Sequence, residues 1–323
     1  MFLRKYIFLA SLGFLLLSCK RDAVLNPTTL TSFNVTADSV SASNDSAYYS
    51  LGSKATFNFT GNPFTITFFS GEIGHRYLYR NRTSVSGTSS FIFTAALNLG
   101  TQSGTLHVMV SSNFKGVAAG DTTATLANIA AASWTDVTPA NLPTTGSVTD
   151  TINLSSYATQ GTPVYVAFKY TAQAGVLQNK WTITNVNLTN TLADGSVYTI
   201  ANLNAATTAI INYGGAQTYS PGWVAYTPAN TKKWTVSASS LIMDSTSAAT
   251  ALTSAESWAF MGSIDLTKVT PDVGVGVKGI GSAIAPFAYT YSARGTYSAG
   301  FLATNNSQYT TDSIVRYVPV VIK

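Results

Sequence analysis

The sequence of 323 residues has a single cysteine, Cys19, so no disulfide can form within the chain. Charged residues are also scarce, at 10% against 46% hydrophobic residues, and the apolar residues are scattered among Thr, Ser, Asn and Gly. This composition is typical of all-β extracellular proteins, here without covalent cross-links. The formal charge of +5 is not concentrated in a basic block, which argues against nucleic acid as a partner.

Residues that commonly carry catalysis are equally few: two histidines, His75 and His107, and two glutamates, Glu72 and Glu256. His107 lies within an alternating run typical of a strand, and no nucleophile-elbow, zinc-protease, phosphate-loop or dinucleotide motif occurs. A glycosidase needs two carboxyl groups about 5 to 9 Å apart, but the two glutamates fall in different predicted domains. An aspartate pair that meets only in the folded chain stays open. We therefore expect no catalytic residue and no cofactor. We assign no metal site, since no run of alternating aspartates typical of calcium loops occurs, and a structural calcium ion stays open.

The first 18 residues have the pattern of a cleaved export signal. A short basic start precedes an apolar run, Tyr6 to Leu17, which is too short to span a bilayer as a stable helix; an uncleaved helix or a core strand is the alternative. The segment Leu16-Leu17-Ser18-Cys19 resembles the lipobox of bacterial lipoproteins. This resemblance implies that residues 1–18 are removed and that Cys19 is acylated, which would anchor the protein to a membrane. Residues 19–31 lack periodicity and are predicted to form a tether.

Short alternating runs bounded by Gly, Pro, Asn or Ser recur along the rest of the chain and predict β-strands throughout. The most helix-like stretch is Ala124 to Ala132, for which at most two turns are expected. Between residues 86 and 270 the chain carries four patterned segments in order. They are Trp134-Thr135-Asp136, Ile152 to Tyr157, Val164 to Tyr170, and Trp181 to Val186. This order resembles jelly-roll domains of the galactose-binding-like group, and its motifs concern packing rather than activity.

A second resemblance links the two ends of the chain. Residues 290–305, TYSARGTYSAGFLATN, resemble the second half of a PKD-type immunoglobulin-like domain, with Tyr291, Gly295 and Tyr297 at the positions which that pattern requires. The alternating segment Phe57 to His75 is the candidate first half. Each end of the chain has too few predicted strands to form a stable sandwich alone.

We therefore predict an all-β protein in which an immunoglobulin/PKD-like β-sandwich is split by an inserted jelly-roll β-sandwich. The discontinuous PKD-like domain comprises residues 32–85 plus 271–323, and the jelly-roll domain comprises residues 86–270. Insertion at an exposed turn is physically tolerable because the two ends of a hairpin lie close together.

The densest charge cluster, Gly74 to Arg82, falls at this predicted junction. Its three arginines, Arg76, Arg80 and Arg82, are expected to tie the two domains together rather than to bind an anion or an acidic glycan.

The lipobox, the split sandwich and the jelly-roll insert together resemble surface lipoproteins of Bacteroidetes-type bacteria that are found with outer-membrane glycan uptake systems. This resemblance implies a lipid-anchored outer-membrane protein that faces the cell surface. The implied partners are polysaccharides or oligosaccharides and outer-membrane uptake proteins.

One aromatic group is a candidate site for such a ligand. Trp223 follows Ser220-Pro221-Gly222 in a glycine-rich loop that also holds Tyr219 and Tyr226, and exposed aromatic rings of this kind stack on sugars. The alternative is that Trp223 caps the core. We expect a non-catalytic glycan-binding lipoprotein. The alternative function is a structural or adhesive module that binds protein or matrix and has no sugar site.

Overall fold

The computed structural model describes residues 30–39, 45–118, 121–203, 218–219, 223–227, 232–237, 239–306 and 311–323. Nearly all regular structure within these residues is β-strand, which confirms the predicted all-β class and is consistent with β-sandwich folds. Cys19 and the predicted signal segment lie outside the described residues. Within the described residues, no helix is both long and apolar enough to cross a membrane.

The described residues form twenty strands and one α-helix. The strands are β1 (Asn34–Ala37), β2 (Ala47–Tyr49), β3 (Lys54–Thr60), β4 (Thr65–Phe69), β5 (Thr88–Leu99), β6 (Leu106–Ser111), β7 (Thr135–Asp136), β8 (Gly146–Asn153), β9 (Tyr165–Ala172), β10 (Lys180–Thr191), β11 (Val197–Asn202), β12 (Thr218–Tyr219), β13 (Trp223–Tyr226), β14 (Thr235–Val236), β15 (Leu241–Met243), β16 (Ala255–Phe260), β17 (Val275–Lys278), β18 (Phe287–Thr290), β19 (Gly295–Asn306) and β20 (Thr311–Ile322). The helix is α1 (Thr122–Ala131), and short 3-10 helices cover Leu30–Ser32, Tyr77–Tyr79 and Ser155–Tyr157.

The chain divides into two compact units, the first of which is discontinuous. The first unit ends at Arg80 and resumes at Asp272, and the second unit is Asn81–Pro271. The second unit is therefore inserted into the first.

The first unit contains two sheets that take strands from both ends of the chain. One has the order β1-β3-β18 and the other β17-β4-β19-β20-β2, and all pairs are antiparallel except β2 with β20. The segments Phe57 to His75 and Phe287 to Asn305 meet in both sheets, since Phe57 pairs with Phe287 and Phe68 pairs with Phe301. Neither end of the chain completes a sheet without the other.

Aromatic side chains fill the core of the first unit. Phe57, Phe68 and Phe301 are no more than 1% exposed, and the ring of Phe301 lies 4.9 Å from that of Phe57 and 5.1 Å from that of Phe68. Alternation along β3, β4 and β19 places these rings on inward faces, because successive strand residues point to opposite sides. Tyr291, which is 1% exposed, stacks on Tyr297 at 4.6 Å.

The second unit contains two six-stranded sheets. One follows the order β14-β15-β10-β5-β8, with β11 also paired to β10, and the other follows β12-β13-β16-β9-β6-β7. Their apolar residues form one continuous cluster, in which Phe93 and Phe168 meet edge to face at 5.2 Å. Trp181, Trp234 and Trp258 are each 4% exposed or less, as expected for tryptophans in alternating strands.

Helix α1 belongs to a second, smaller apolar cluster that includes Phe114, Tyr226, Trp258 and Phe260. The helix begins at Thr122 because the Asp121 carboxylate accepts a hydrogen bond from Ala124 N at 2.8 Å, an N-cap that satisfies an unpaired helix amide. The expectation of two turns at most was therefore wrong, since α1 has 10 residues.

Candidate functional site

The loop between β5 and β6, Gly100 to Thr105, lies at one end of the second unit and separates two clefts. The loop begins at a residue that must be glycine. Gly100 has φ +96°, and a Cβ there would lie 2.1 Å from Asn179 Oδ1. Both the backbone conformation and the close approach of Asn179 exclude a side chain.

Asn179 holds the loop with three hydrogen bonds although it is far away in sequence. Its Nδ2 donates to Gln102 O at 2.7 Å and to Thr105 Oγ1 at 2.9 Å, and its Oδ1 accepts from Gln102 N at 3.1 Å. Trp181 Nε1 also donates to Thr105 Oγ1, at 2.9 Å. Because Asn179 is 0% exposed, these bonds are shielded from water, and the loop is held in one conformation before any ligand arrives.

The side chain of Gln102 also anchors the loop. Its Nε2 donates to Leu177 O at 2.8 Å, and its Oε1 accepts from Gln173 N at 2.9 Å. The loop is therefore tied to the β9–β10 connection by both the backbone and the side chain of one residue.

Strand pairing places a histidine next to an aspartate beside this loop. Asp136 of β7 pairs with Met109 of β6, and His107 lies two residues before Met109, hence on the same face of the sheet. His107 Nδ1 lies 2.8 Å from Asp136 Oδ2, and His107 Nε2 lies 3.0 Å from Gly104 O. Both partners of the ring are acceptors, so His107 ties the loop to β7.

Hydrogen bonds keep the Asp136 carboxylate ionised. Burial raises the pKa of Asp136, but hydrogen bonds from Thr138 and His107 outweigh it, so the pKa lies below the ordinary value of 3.8. Thr138 donates to Asp136 Oδ1 through its backbone N at 2.9 Å and through its hydroxyl. The side chain of Asp136 remains 46% exposed, so the carboxylate is also accessible from the cleft.

The first cleft has a volume of about 710 Å³. One side is an apolar wall in which Pro139 and Leu142 are partly exposed and the other members are buried, namely Leu97, Leu106, Pro143 and Trp181. The other side is polar, formed by the loop Thr101–Thr105 with His107, Asp136, Thr138 and Thr144. A cleft with apolar walls and a few fixed polar groups is suited to a small organic ligand that carries hydroxyl groups.

The second cleft, of about 590 Å³, lies on the other side of the same loop. It is lined by Thr101–Thr105 together with Thr171, Gln173, Ser254 and Glu256. Thr171 and Glu256 are directly opposite each other in the β9–β16 ladder, so their side chains share one face of the sheet. This second cleft is more polar in its side chains than the first.

Contacts within the protein occupy both ring nitrogens of His107. A general base needs a ring nitrogen directed at a substrate proton, whereas both ring nitrogens of His107 face acceptors of the protein. Within the described residues, no group of three or more His, Cys, Asp or Glu side chains is placed to hold a metal ion.

The structure corrects one part of the predicted aromatic platform. Tyr226 is 4% exposed, packs in the cluster with α1, and donates its hydroxyl to Thr122 O at 2.9 Å. A sugar needs an exposed ring face, so Tyr226 cannot form part of such a platform. The backbones of Tyr219 and Trp223 pair between β12 and β13, but their side chains lie outside the description, as does the predicted lipidation site Cys19.

The basic cluster of Gly74 to Arg82 contacts its own units. Arg76 donates through N and Nε to Asp272 Oδ2, both at 3.0 Å, and Arg80 lies 3.8 Å above the ring of Tyr77, all within the first unit. Arg82 donates to Tyr198 OH at 2.8 Å within the second unit. Each of these contacts lies within one unit, so the role of the arginines as ties between the two domains stays a prediction.

The cleft was not predicted from the sequence, although its residues carried weak signals. The sequence pattern places Asp136 in a packing motif and His107 within an alternating strand, so it indicates neither as a site residue. A glycine-flanked polar loop between two strong strands was the one local sign of a built loop.

Comparison with known proteins finds one family. The model of the family described as Domain of unknown function (DUF5017) matches residues 18–208. This range includes the loop Gly100 to Thr105, His107 and Asp136 but not Glu256. No curated protein matches the chain, and neither does any solved structure.

Proposed function

Because the chain belongs to the DUF5017 family, whose description assigns no activity, we propose its function from the site itself: non-catalytic binding of glycans at the cell surface. The ligand lies in the first cleft, against the apolar wall on one side and the loop Thr101–Thr105 on the other. We further propose that the first unit is a PKD-like sandwich and that the second unit is a jelly roll. The protein is a lipoprotein anchored through Cys19 to the outer membrane, and it acts with outer-membrane uptake proteins.

One observation carries the proposal: the cleft is already built around a loop that is fixed by buried hydrogen bonds. A ligand that enters it does not have to order the loop, which reduces the entropic cost of binding. The volume of about 710 Å³ falls within the ordinary range for small-molecule sites. Sugars present both apolar ring faces and hydroxyl groups; the partly exposed Pro139 and Leu142 offer apolar contact, and the loop and Asp136 offer partners for hydroxyl groups.

Affinity electrophoresis tests this proposal. The chain from residue 20 to residue 323 contains every described residue and is run in gels that contain xyloglucan, galactomannan, laminarin, xylan, pectin or amylopectin. We expect at least one polysaccharide to retard the protein. Asp136→Asn should weaken this retention about tenfold, because a hydrogen bond between a sugar hydroxyl and a charged group contributes about 1.5 kcal/mol.

Asp244→Asn is the matched control. It also neutralises an exposed carboxylate of the second unit, paired with Lys180 at 3.1 Å, but lies outside both clefts, so retention should be unchanged. Retention that survives Asp136→Asn but is lost in Trp223→Ala would move the site to the predicted aromatic loop. No retention on any polysaccharide would overturn glycan binding and leave the adhesive module as the surviving hypothesis.

A further inference from the structure

We propose that the two clefts beside the loop Thr101–Thr105 form one continuous site for a linear glycan, which crosses the loop and occupies a subsite on each side. This inference rests on the proposed function and specifies its ligand class: an extended chain of several sugars rather than a single sugar or a chain end.

The two clefts lie a short distance apart. The carbonyl oxygen of Gly104 lies 3.0 Å from His107 Nε2 on the side of the first cleft and accepts a hydrogen bond from Thr171 Oγ1 at 3.2 Å on the side of the second. These two side-chain atoms therefore lie no more than 6.2 Å apart. The polar walls of the clefts meet at one backbone atom.

The loop between the two clefts does not block them with a large side chain. Thr105 is 3% exposed and points into the unit, where its hydroxyl accepts from Asn179 and Trp181. Gly104 has no side chain, and a Cβ built on it would meet nothing within 4 Å. Exposed Thr101 and Ser103 complete the crest with hydroxyl groups. A ligand can therefore cross the loop and gain hydrogen bonds there.

The second cleft contains a carboxylate that can accept hydrogen bonds from a ligand. Glu256 has a half-exposed carboxylate that is fixed in place, because Oε1 accepts from Trp258 Nε1 at 2.8 Å and Oε2 lies 3.7 Å from Lys169 Nζ. A carboxylate has about four acceptor positions, so it can accept further hydrogen bonds from ligand hydroxyls. Asp136 offers an exposed carboxylate in the first cleft, so each cleft has one fixed anionic acceptor.

A ligand that engages both acceptors needs hydroxyl donors along its length. A linear glycan has them on every sugar, together with apolar ring faces for the wall of the first cleft. A single sugar in either cleft would leave the other acceptor unused.

Isothermal titration calorimetry with oligosaccharides of increasing length tests the inference. The probes are the cello-, laminari-, manno-, xylo- and malto-oligosaccharides, each from disaccharide to hexasaccharide, added to the chain from residue 20 to residue 323. For the series that binds, we expect one site per chain and an affinity that rises about tenfold or more from disaccharide to hexasaccharide. Glu256→Gln should reduce this gain with length, because it removes the charge of the second acceptor.

Two controls separate the outcomes. Asp244→Asn should keep the full gain, since Asp244 lines neither cleft. Equal affinity at every length, or a gain that Glu256→Gln leaves intact, would overturn the continuous site while the first cleft remained a glycan site. No binding of any series at any length would overturn both proposals.

Discussion

At the scale of single residues, a few buried or half-buried polar side chains connect parts of the chain that are far apart in sequence. Asn179 fixes the loop beside the clefts, and Asp272 receives two hydrogen bonds from Arg76. The half-buried Glu72 accepts a hydrogen bond from the distant Tyr289 at 2.5 Å. Each of these side chains would leave partners unsatisfied if it were removed, and a buried unsatisfied group costs more than the net contribution of the bond.

The ion pair of Arg76 and Asp272 gives the first prediction. The side chain of Asp272 is 0% exposed, and its Oδ2 lies 3.0 Å from Arg76 Nε. Asp272→Ala leaves the guanidinium without its anion, and breaking a buried pair costs about 3–5 kcal/mol. We expect a loss of this size in the free energy of unfolding of the first unit, measured by urea denaturation.

Asp272→Asn is the matched variant, because an amide oxygen can still accept from the backbone N of Arg76. It should cost clearly less than Asp272→Ala. A loss below about 1 kcal/mol in both variants would show that the pair contributes no more than an exposed surface pair does.

At the scale of secondary structure elements, strand register decides which side chains become neighbours. The β6–β9 ladder places His107 opposite Lys169, and the β9–β16 ladder places Lys169 opposite Trp258. This row, together with Asp136 from β7, lies on one face of the sheet because paired residues point the same way. The two clefts thus depend on three strand pairings and on the β5–β6 loop.

The loop gives the second prediction, through a pair of glycines. Gly100→Ala should destabilise the protein by about 1–2 kcal/mol because alanine is strained in a left-handed backbone conformation. The overlap of its Cβ with Asn179 should add about 1–3 kcal/mol. Gly104→Ala should introduce only the backbone strain, since its φ is +63° and no atom lies within 4 Å of the added carbon. We expect Gly100→Ala to lower the free energy of unfolding more, measured by urea denaturation.

Hydrogen exchange of the loop amides is the second readout. It should accelerate at Gln102 in Gly100→Ala, because displaced Asn179 no longer accepts from that amide. Equal losses of stability in the two variants would contradict the close approach of Asn179 to Gly100.

At the scale of the whole molecule, each unit closes around its own ends. In the first unit, the backbone N of Asp272 donates to Tyr79 O at 3.2 Å, so the chain leaves and returns at one place. In the second unit, Val269 N donates to Thr83 O at 3.0 Å and Val85 N donates to Thr267 O at 2.7 Å. A guest whose ends lie together can be inserted without disturbing the host.

Excision of the second unit is the third prediction. Joining Arg80 to Asp272 through a short glycine-serine linker should give a sandwich that unfolds cooperatively, because every strand pairing of the first unit is kept. Residues 81–271 expressed alone should also fold, since both six-stranded sheets lie within them. Near-ultraviolet circular dichroism and a single thermal transition are the measurements. Noncooperative unfolding of either piece would show that the unit depends on the other.

The sequence by itself determined the β-strand character of the chain and most of its buried aromatic residues. Alternation in Phe57-Asn58-Phe59 or in Val164 to Tyr170 reports which side chains face inward, and this is a local property of each strand. It also indicated that Phe287 to Asn305 supplies strands complementary to those of Phe57 to His75. Helix α1 is longer than predicted because the N-cap at Asp121 lets it begin at Thr122, two residues before Ala124.

Only the tertiary structure decided the burial of Tyr226 and the presence of the clefts. The strand residue Tyr226 is covered by α1, which precedes it by more than ninety residues. His107, Asp136, Thr171 and Glu256 come together through pairings between strands that are separated by long stretches of chain. Periodicity contains no information on register between distant strands, because that register is fixed by packing and loop closure across the folded chain.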